Sequence, residues 1–283
     1  MRFLSPNKPA GFTLVELLIV IPVVMMLLTV FIGALITMSS EVAKTQGENK
    51  LTYDTQSALD TIERDVRLSA NFLAVNEIAV SSPLSYANSA VAVNDFKNNG
   101  TNGEMLILRT LATDRNPLNP ARELIYLDTG GGCGTNQKII ANYYYTNVIY
   151  FTKTEGTNKS LWKRTLLPTL ASGTSTCGTP WQRPSCSPTA TKGATCKVDD
   201  VKLLDNVSNF SIDYRYNASD ATAVSDAKST AVSETNRTIL LRSISAVQVN
   251  ITAARTVGGK DISHSGTILT TRLNIPYESS TGP

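Results

Sequence analysis

Few side chains in this chain could do chemistry, and the most telling stand at its start. Glu16 lies at the edge of an uncharged apolar run from Leu17 to about Met38. An ionised carboxylate there costs on the order of 2.5–3.5 kcal/mol on membrane-insertion scales unless a positive group offsets it. Scission between Gly11 and Phe12 would supply one. The new α-amino group of Phe12 would lie one helical turn from Glu16, or could meet the Glu16 of a neighbouring copy. Gly11, Phe12 and Glu16 therefore read as a processing site coupled to assembly. Nothing comparable marks a catalytic centre. The single histidine, His264, sits in a Ser-His-Ser-Gly stretch that reads as a turn, with no matching nucleophile motif, and no P-loop, dinucleotide fingerprint or metalloprotease helix motif occurs. The expectation is a non-enzyme with no catalytic residues and no cofactor.

Four cysteines, Cys133, Cys177, Cys186 and Cys196, are the other reactive groups. They allow three pairings. Closure of a short local loop favours Cys186 with Cys196, which leaves Cys133 and Cys177 to tie two distant segments. Zinc is the rival reading, but no pair has C-x2-C spacing and His264 is far along the chain. The stretch Asp95 to Glu104 offers oxygen ligands suited to calcium, yet it lacks EF-hand spacing and its Asn-Gly pairs form turns. No metal site is expected.

These groups need a membrane-length helix to hold them. About 22 residues at about 1.5 Å each span roughly 33 Å, enough for a bilayer core and too long for the apolar core of a secretory signal peptide. Arg2 and Lys8 precede the run and place the N-terminus in the cytoplasm by the positive-inside tendency, so that later residues face outward, where disulfides can form. A plain signal anchor would explain the length and orientation but would leave Glu16 unexplained. Loss of residues 1–11 removes two cations and lowers the formal net charge from +3 to +1. With no run of Lys and Arg after residue 12, direct nucleic-acid binding is not expected.

From Phe12 to about Ser69 the pattern is one long helix, interrupted by two helix breakers, Pro22 and Gly33. Beyond Ser40 it becomes amphipathic. Leu59, Ile62, Val66 and Leu73 recur near the 3.6 period, while the acids and arginines of residues 58–67 read as solvated charges. After about Asn71 short β-rich pieces follow, clearest at 104–109, 123–127, 143–151, 161–164, 210–216, 246–251 and 269–273, and the alternation of Val247, Val249 and Ile251 suggests a half-buried antiparallel strand. The aromatic group from Tyr143 to Phe151 reads as core packing more than as an adhesive surface. Residues 95–103, 130–134, 169–197 and 217–235 read as loops. The predicted class is α+β, a long N-terminal helix packed on antiparallel sheet. Its parts are a leader over 1–11, a membrane and assembly helix over 12–39, a soluble half-helix over 40–73, and a β-rich extracytoplasmic domain over 74–283.

Gly11-Phe12-Thr13-Leu14-Val15-Glu16 followed by the apolar span resembles the class III signal of type IV pilins and type II secretion pseudopilins. The resemblance implies that a prepilin peptidase cuts after Gly11 on the cytoplasmic side and N-methylates Phe12. It also implies that Glu16 aligns each incoming subunit by neutralising another subunit's N-terminal amine. Energy for extension would come from a cytoplasmic ATPase acting through partners. Residues 58–67, Leu203 to Tyr214 and Thr270 to Asn274 resemble segments of the J-type pseudopilins and PilW-type minor pilins, although a Leu-Arg-Asn order frequent at the family's closing strand is not kept. Pro22 sits nearer the N-terminus than the helix breaker of major pilins. Retention of Glu16 argues against the K-type.

The resulting expectation is a prepilin, built as a minor subunit into a type IV pilus or type II secretion pseudopilus, with a priming or tip role. Its partners would be the prepilin peptidase, other pilins or pseudopilins, the inner-membrane assembly platform and the membrane itself. It would end in a filament at the cell surface or in the periplasm. The alternatives are a bulk pilin and a membrane-anchored extracellular adhesin.

Overall fold

A computed structural model describes residues 13–76, 78, 84–86, 89–91, 96–98, 104–128, 130, 132–134, 138, 142–170 and 172–273. One helix, α1 (Leu14–Arg67), accounts for 54 of them. It runs without a break through Pro22 and Gly33. Its end differs from the expected 73. Ser69 turns its hydroxyl back to the Val66 carbonyl at 2.7 Å, Leu273 donates its amide to the Arg67 carbonyl at 3.1 Å, and Arg64 and Arg67 place positive charge on the last turn. Residues 69–73 then leave as strand β1 (Ser69–Leu73), so Leu73 joins the core from a strand and not from the helix.

The remaining strands are β2 (Leu84–Tyr86), β3 (Ser89–Val91), β4 (Met105–Leu111), β5 (Tyr126–Asp128), β6 (Tyr145–Glu155), β7 (Asn158–Leu166), β8 (Ser175–Cys177), β9 (Ser185–Cys186), β10 (Val198–Asp199), β11 (Val201–Leu204), β12 (Val207–Arg215), β13 (Ala246–Val257) and β14 (Lys260–Thr271). The chain divides into two units. The first contains the described residues up to Asn49 together with Thr256–Ile262, and the second contains the rest.

In the first unit, the turn at Gly258 and Gly259 joins β13 to β14, and both glycines have positive φ, +59° and +76°, as a two-residue type I′ hairpin requires. The hairpin tip packs on α1. A Cβ on Gly47 would stand 2.9 Å from Ile262 Cδ1 and 3.1 Å from Val257 Cγ2, so glycine is what lets the strands approach. Lys260 pairs with Glu41 and holds that carboxyl below its ordinary range.

The second unit is built on a five-stranded antiparallel sheet in the order β1-β4-β6-β7-β11. Register fixes its two faces. Leu106, Tyr150 and Lys163 align on one side, and Met105, Phe151 and Trp162 on the other. The first side meets α1, whose Leu59, Ile62 and Val66 are buried as the helical period predicted, with Leu51 and Ala58 beside them. The second side is closed by Leu73, Ile78, Phe96 and the Cys186–Cys196 bridge. Cover on both sides explains why residues 146–152 of β6 are buried without alternation and why Tyr144, Tyr150 and Phe151 go to the core.

A second sheet, β12-β13-β14, shows the expected alternation, with Val247, Val249 and Ile251 buried. Its β12 lies at an edge. Gly266 of β14 sits against α1, where a Cβ would come within 2.6 Å of Leu59 Cδ1. His264 lies in β14 and its Nδ1 is 3.3 Å from Thr52 Oγ1, so it is a strand residue and not a turn residue.

The loops expected at 169–197 and 217–235 carry more structure than predicted. β8 and β9 lie in the first. A single 3-10 turn (Ser225–Ala227) lies in the second, and an unforeseen helix, α2 (Glu234–Ser243), begins at its end. Ser233 caps α2 by accepting the Asn236 amide at 3.3 Å. Phe96 of the 95–103 stretch is fully buried. Most of the oxygen ligands weighed there for calcium lie outside the described residues.

Candidate functional site

The N-terminal end of α1 is built by a local sequence rule. Thr13 is followed three residues later by Glu16, the pattern of a capping box. Glu16 Oε2 accepts both the Thr13 amide and the Thr13 hydroxyl at 2.9 Å, and Thr13 Oγ1 accepts the Glu16 amide at 3.3 Å. The carboxylate is therefore held by its own helix start, with the macrodipole in its favour. This role was legible in Thr13-Leu14-Val15-Glu16 and escaped a reading directed at the amine alone. Both bonds end on Oε2, and Oε1 makes none among the described residues. Gly11 and Phe12 lie outside the described residues.

Above this cap every large apolar side chain from Leu14 to Met38 is exposed, including Leu14 at 80% and Met26 at 73%. α1 is the one helix among the described residues long and apolar enough to cross a membrane, and none of its most apolar window is covered. Its polar atoms are quiet. Thr29 and Thr37 return their hydroxyls to the carbonyls of Met25 and Gly33 at 2.8 and 2.9 Å, which removes unsatisfied donors from an apolar setting. Pro22 has no amide to give the preceding turn, yet helix continues on both sides. A Cβ on Gly33 would meet nothing within 4 Å among the described residues, so none of them calls for a glycine there.

The cysteines form both expected bridges, Cys133–Cys177 and Cys186–Cys196, with Cα separations of 5.3 and 5.5 Å. The first lies beside the β5–β8 pairing, where Tyr126 stands opposite Cys177. Near it the Tyr126 phenol is pushed up to about 12 by burial and by its contact with Tyr143.

Three charged clusters went unforeseen. Asp65, expected among solvated helix charges, is buried against the sheet, where it accepts the Tyr150 hydroxyl at 2.6 Å and pairs with Lys163. Burial, and then the neighbouring Asp65 carboxylate, push the Tyr150 phenol well up. Arg164 and Asp200 form a pair only 3% exposed on each side, with Arg164 Nε 2.9 and 3.0 Å from the two carboxylate oxygens. The guanidinium lies 5.4 Å from the ring centres of Phe96 and Phe151. Arg272 is buried with no carboxylate in ion-pair range among the described residues. It donates to the carbonyls of Ala70, Ile244 and Arg242 and to Asn71 Oδ1, tying the end of β14 to β1 and α2, and burial lowers its guanidinium to about 10. No sequence signal separates such residues from surface charges, because each pairing partner is tens of residues away.

Neither a family model, nor a curated protein, nor a solved structure matches the chain.

Proposed function

We propose that this chain is a prepilin that is cut after Gly11 by a prepilin peptidase, N-methylated at Phe12, and built into a type IV pilus or type II secretion pseudopilus as a minor subunit. The β-rich unit faces outward, and the role is structural, in priming or at the tip. One observation carries this reading. A Gly-Phe-Thr-Leu-x-Glu start opens a helix whose apolar half has no cover among the described residues, while its other half is docked on a sheet. Such a helix needs lipid first and other apolar helices afterwards, and close helix packing in a membrane favours a small residue such as Gly33.

The capping box sharpens the role of Glu16. One oxygen serves the helix start and the other is left to meet an amine. Gln at the same position would keep the cap but lose the charge. Glu16→Gln is therefore expected to be cleaved normally and to be lost from filaments, and normal incorporation would refute the amine pairing. The wider reading is tested by mass spectrometry of the N-terminus from sheared surface filaments and from membranes. A methylated Phe12 in the filament fraction is the expected result, at low abundance relative to other pilins. An intact Met1 or Arg2 start confined to membranes would replace it with an anchored binding protein.

A further inference from the structure

The second unit carries a cleft of about 1080 Å³ that the reading above does not use. Its floor is the α1-facing side of the five-stranded sheet, at Thr110, Val148, Lys163 and Thr165, and one wall is the last turn of α1 with Arg64, Asp65 and Leu68. Two loops close the other sides, carrying Leu118, Arg122, Trp181 and Arg183.

Charge in the cleft is unbalanced. Its two acids are occupied: Asp65 by Lys163, Arg64 and Tyr150, and Asp114 by Arg115 and the Glu123 amide. Arg122, Arg183 and Lys197 have no carboxylate in ion-pair range among the described residues, and Arg122 is half-buried. The same cleft gathers Leu118, Trp181 and Val201, exposed by 56%, 50% and 53%, into one patch, whereas scattered single apolar side chains need no explanation. Val201 belongs to β11, an edge of the sheet.

The Trp181 loop is held in place. Gln182 accepts the Thr113 amide at 3.0 Å and donates to Thr113 Oγ1 at 3.0 Å, and the Trp181 amide donates to the Thr113 carbonyl at 2.7 Å. The loop is also bounded on one side by Cys177 and on the other by Cys186, each in a disulfide. Both bridges thus restrain the one segment that presents an exposed tryptophan beside unpaired cations.

We infer that this cleft binds an extended acidic peptide segment of a partner protein, with apolar side chains seated at Leu118, Trp181 and Val201 and carboxylates meeting Arg122, Arg183 and Lys197. Surplus cations give sign selectivity, apolar walls supply the burial that charge alone lacks, and an edge strand suits an extended chain. The inference stands on the second unit alone and does not depend on the filament reading.

The chain has two tryptophans, and Trp162 is buried, so emission changes on binding report Trp181. The full chain in detergent micelles would be titrated with a synthetic octapeptide alternating Glu with Leu or Val, with its Lys counterpart, with a sulfated hexasaccharide and with a short single-stranded DNA. Saturable binding of the acidic peptide alone is expected, weakened roughly tenfold or more in the double variant R183E with K197E. These two side chains are exposed and unpaired, so folding is expected to survive; Lys197→Gln provides a milder second variant, expected to weaken binding severalfold. Equal binding of the Lys peptide, tighter binding of the saccharide or DNA, indifference to both variants, or no saturable signal would each overturn the inference.

Discussion

The two halves of α1 belong to one helix and meet opposite fates. Between Leu14 and Met38 nearly every residue is apolar and every large one is exposed. Between Leu51 and Val66 apolar residues are fewer, and all but Tyr53 are buried. Apolar content therefore does not measure burial here. A stripe on one side of a helix can be covered by one sheet, whereas a helix apolar all round needs lipid or several other helices. The difference separates the half that the described residues cover from the half that they leave exposed.

The largest effect on folding is expected in the second unit's interior, where charge was buried. Asp200→Ala strands Arg164 without its partner and should destabilise by about 3–5 kcal/mol, read as a fall in the denaturant midpoint of the full chain in micelles. Replacement of both members by well-packed apolar residues should recover much of that loss. Next, Ile62→Ala in the docked half should cost about 2–5 kcal/mol. In the apolar half Leu27→Ala should change the same midpoint by no more than about 0.5 kcal/mol, since Leu27 is 64% exposed. An equal cost at both positions would break the comparison.

The glycines give a finer test. Gly266→Val pushes into Leu59 and Thr55 and is expected to cost about 1–3 kcal/mol in the same measurement. Gly33→Ala meets nothing and should if anything favour helix by about 0.5–1 kcal/mol. A loss of filaments in Gly33→Leu without a loss of stability would therefore report contact with another copy. The smallest effect concerns Tyr150. Its phenol titrates higher when folded than when unfolded, so the folded chain retains that proton longer. The associated stability is complete below the unfolded value of about 10 and declines as pH rises through the folded one. Tyr150→Phe should cost about 1 kcal/mol at neutral pH and should blunt the alkaline decline seen in a pH series of denaturation midpoints.

Sequence reading was strongest where the signal is local. The helical period of Leu59, Ile62 and Val66 located the docked face, and the alternation of Val247, Val249 and Ile251 located a half-covered strand. Loop closure located both disulfides. It was weaker at boundaries. Leu73 fits the helical period as well as a strand, and only the pairing of β1 with β4 decides between them. α2 was missed although Ser233 is a good N-cap, because its buried residues, Arg237, Thr238 and Leu241, do not look like an apolar stripe. The cap at Thr13 and Glu16 is of the local kind, since a Thr followed three residues later by a Glu is enough to specify it.

The sequence by itself determined that this chain carries an uncharged span of membrane length with one carboxylate at its edge, a long helix, and a β-rich part with an even number of cysteines. Each of these follows from composition or from spacing within a few residues, which chain connectivity keeps intact in any fold. Only the tertiary structure decided that Asp65 and Asp200 are interior charges, that Arg272 is held by carbonyls, and that Arg122, Arg183 and Lys197 line one cleft with Trp181 with no carboxylate in ion-pair range among the described residues. The fate of a charge depends on which distant segment folding brings to it, and that choice is made by sheet register and layer packing, neither of which is written in the spacing of neighbours.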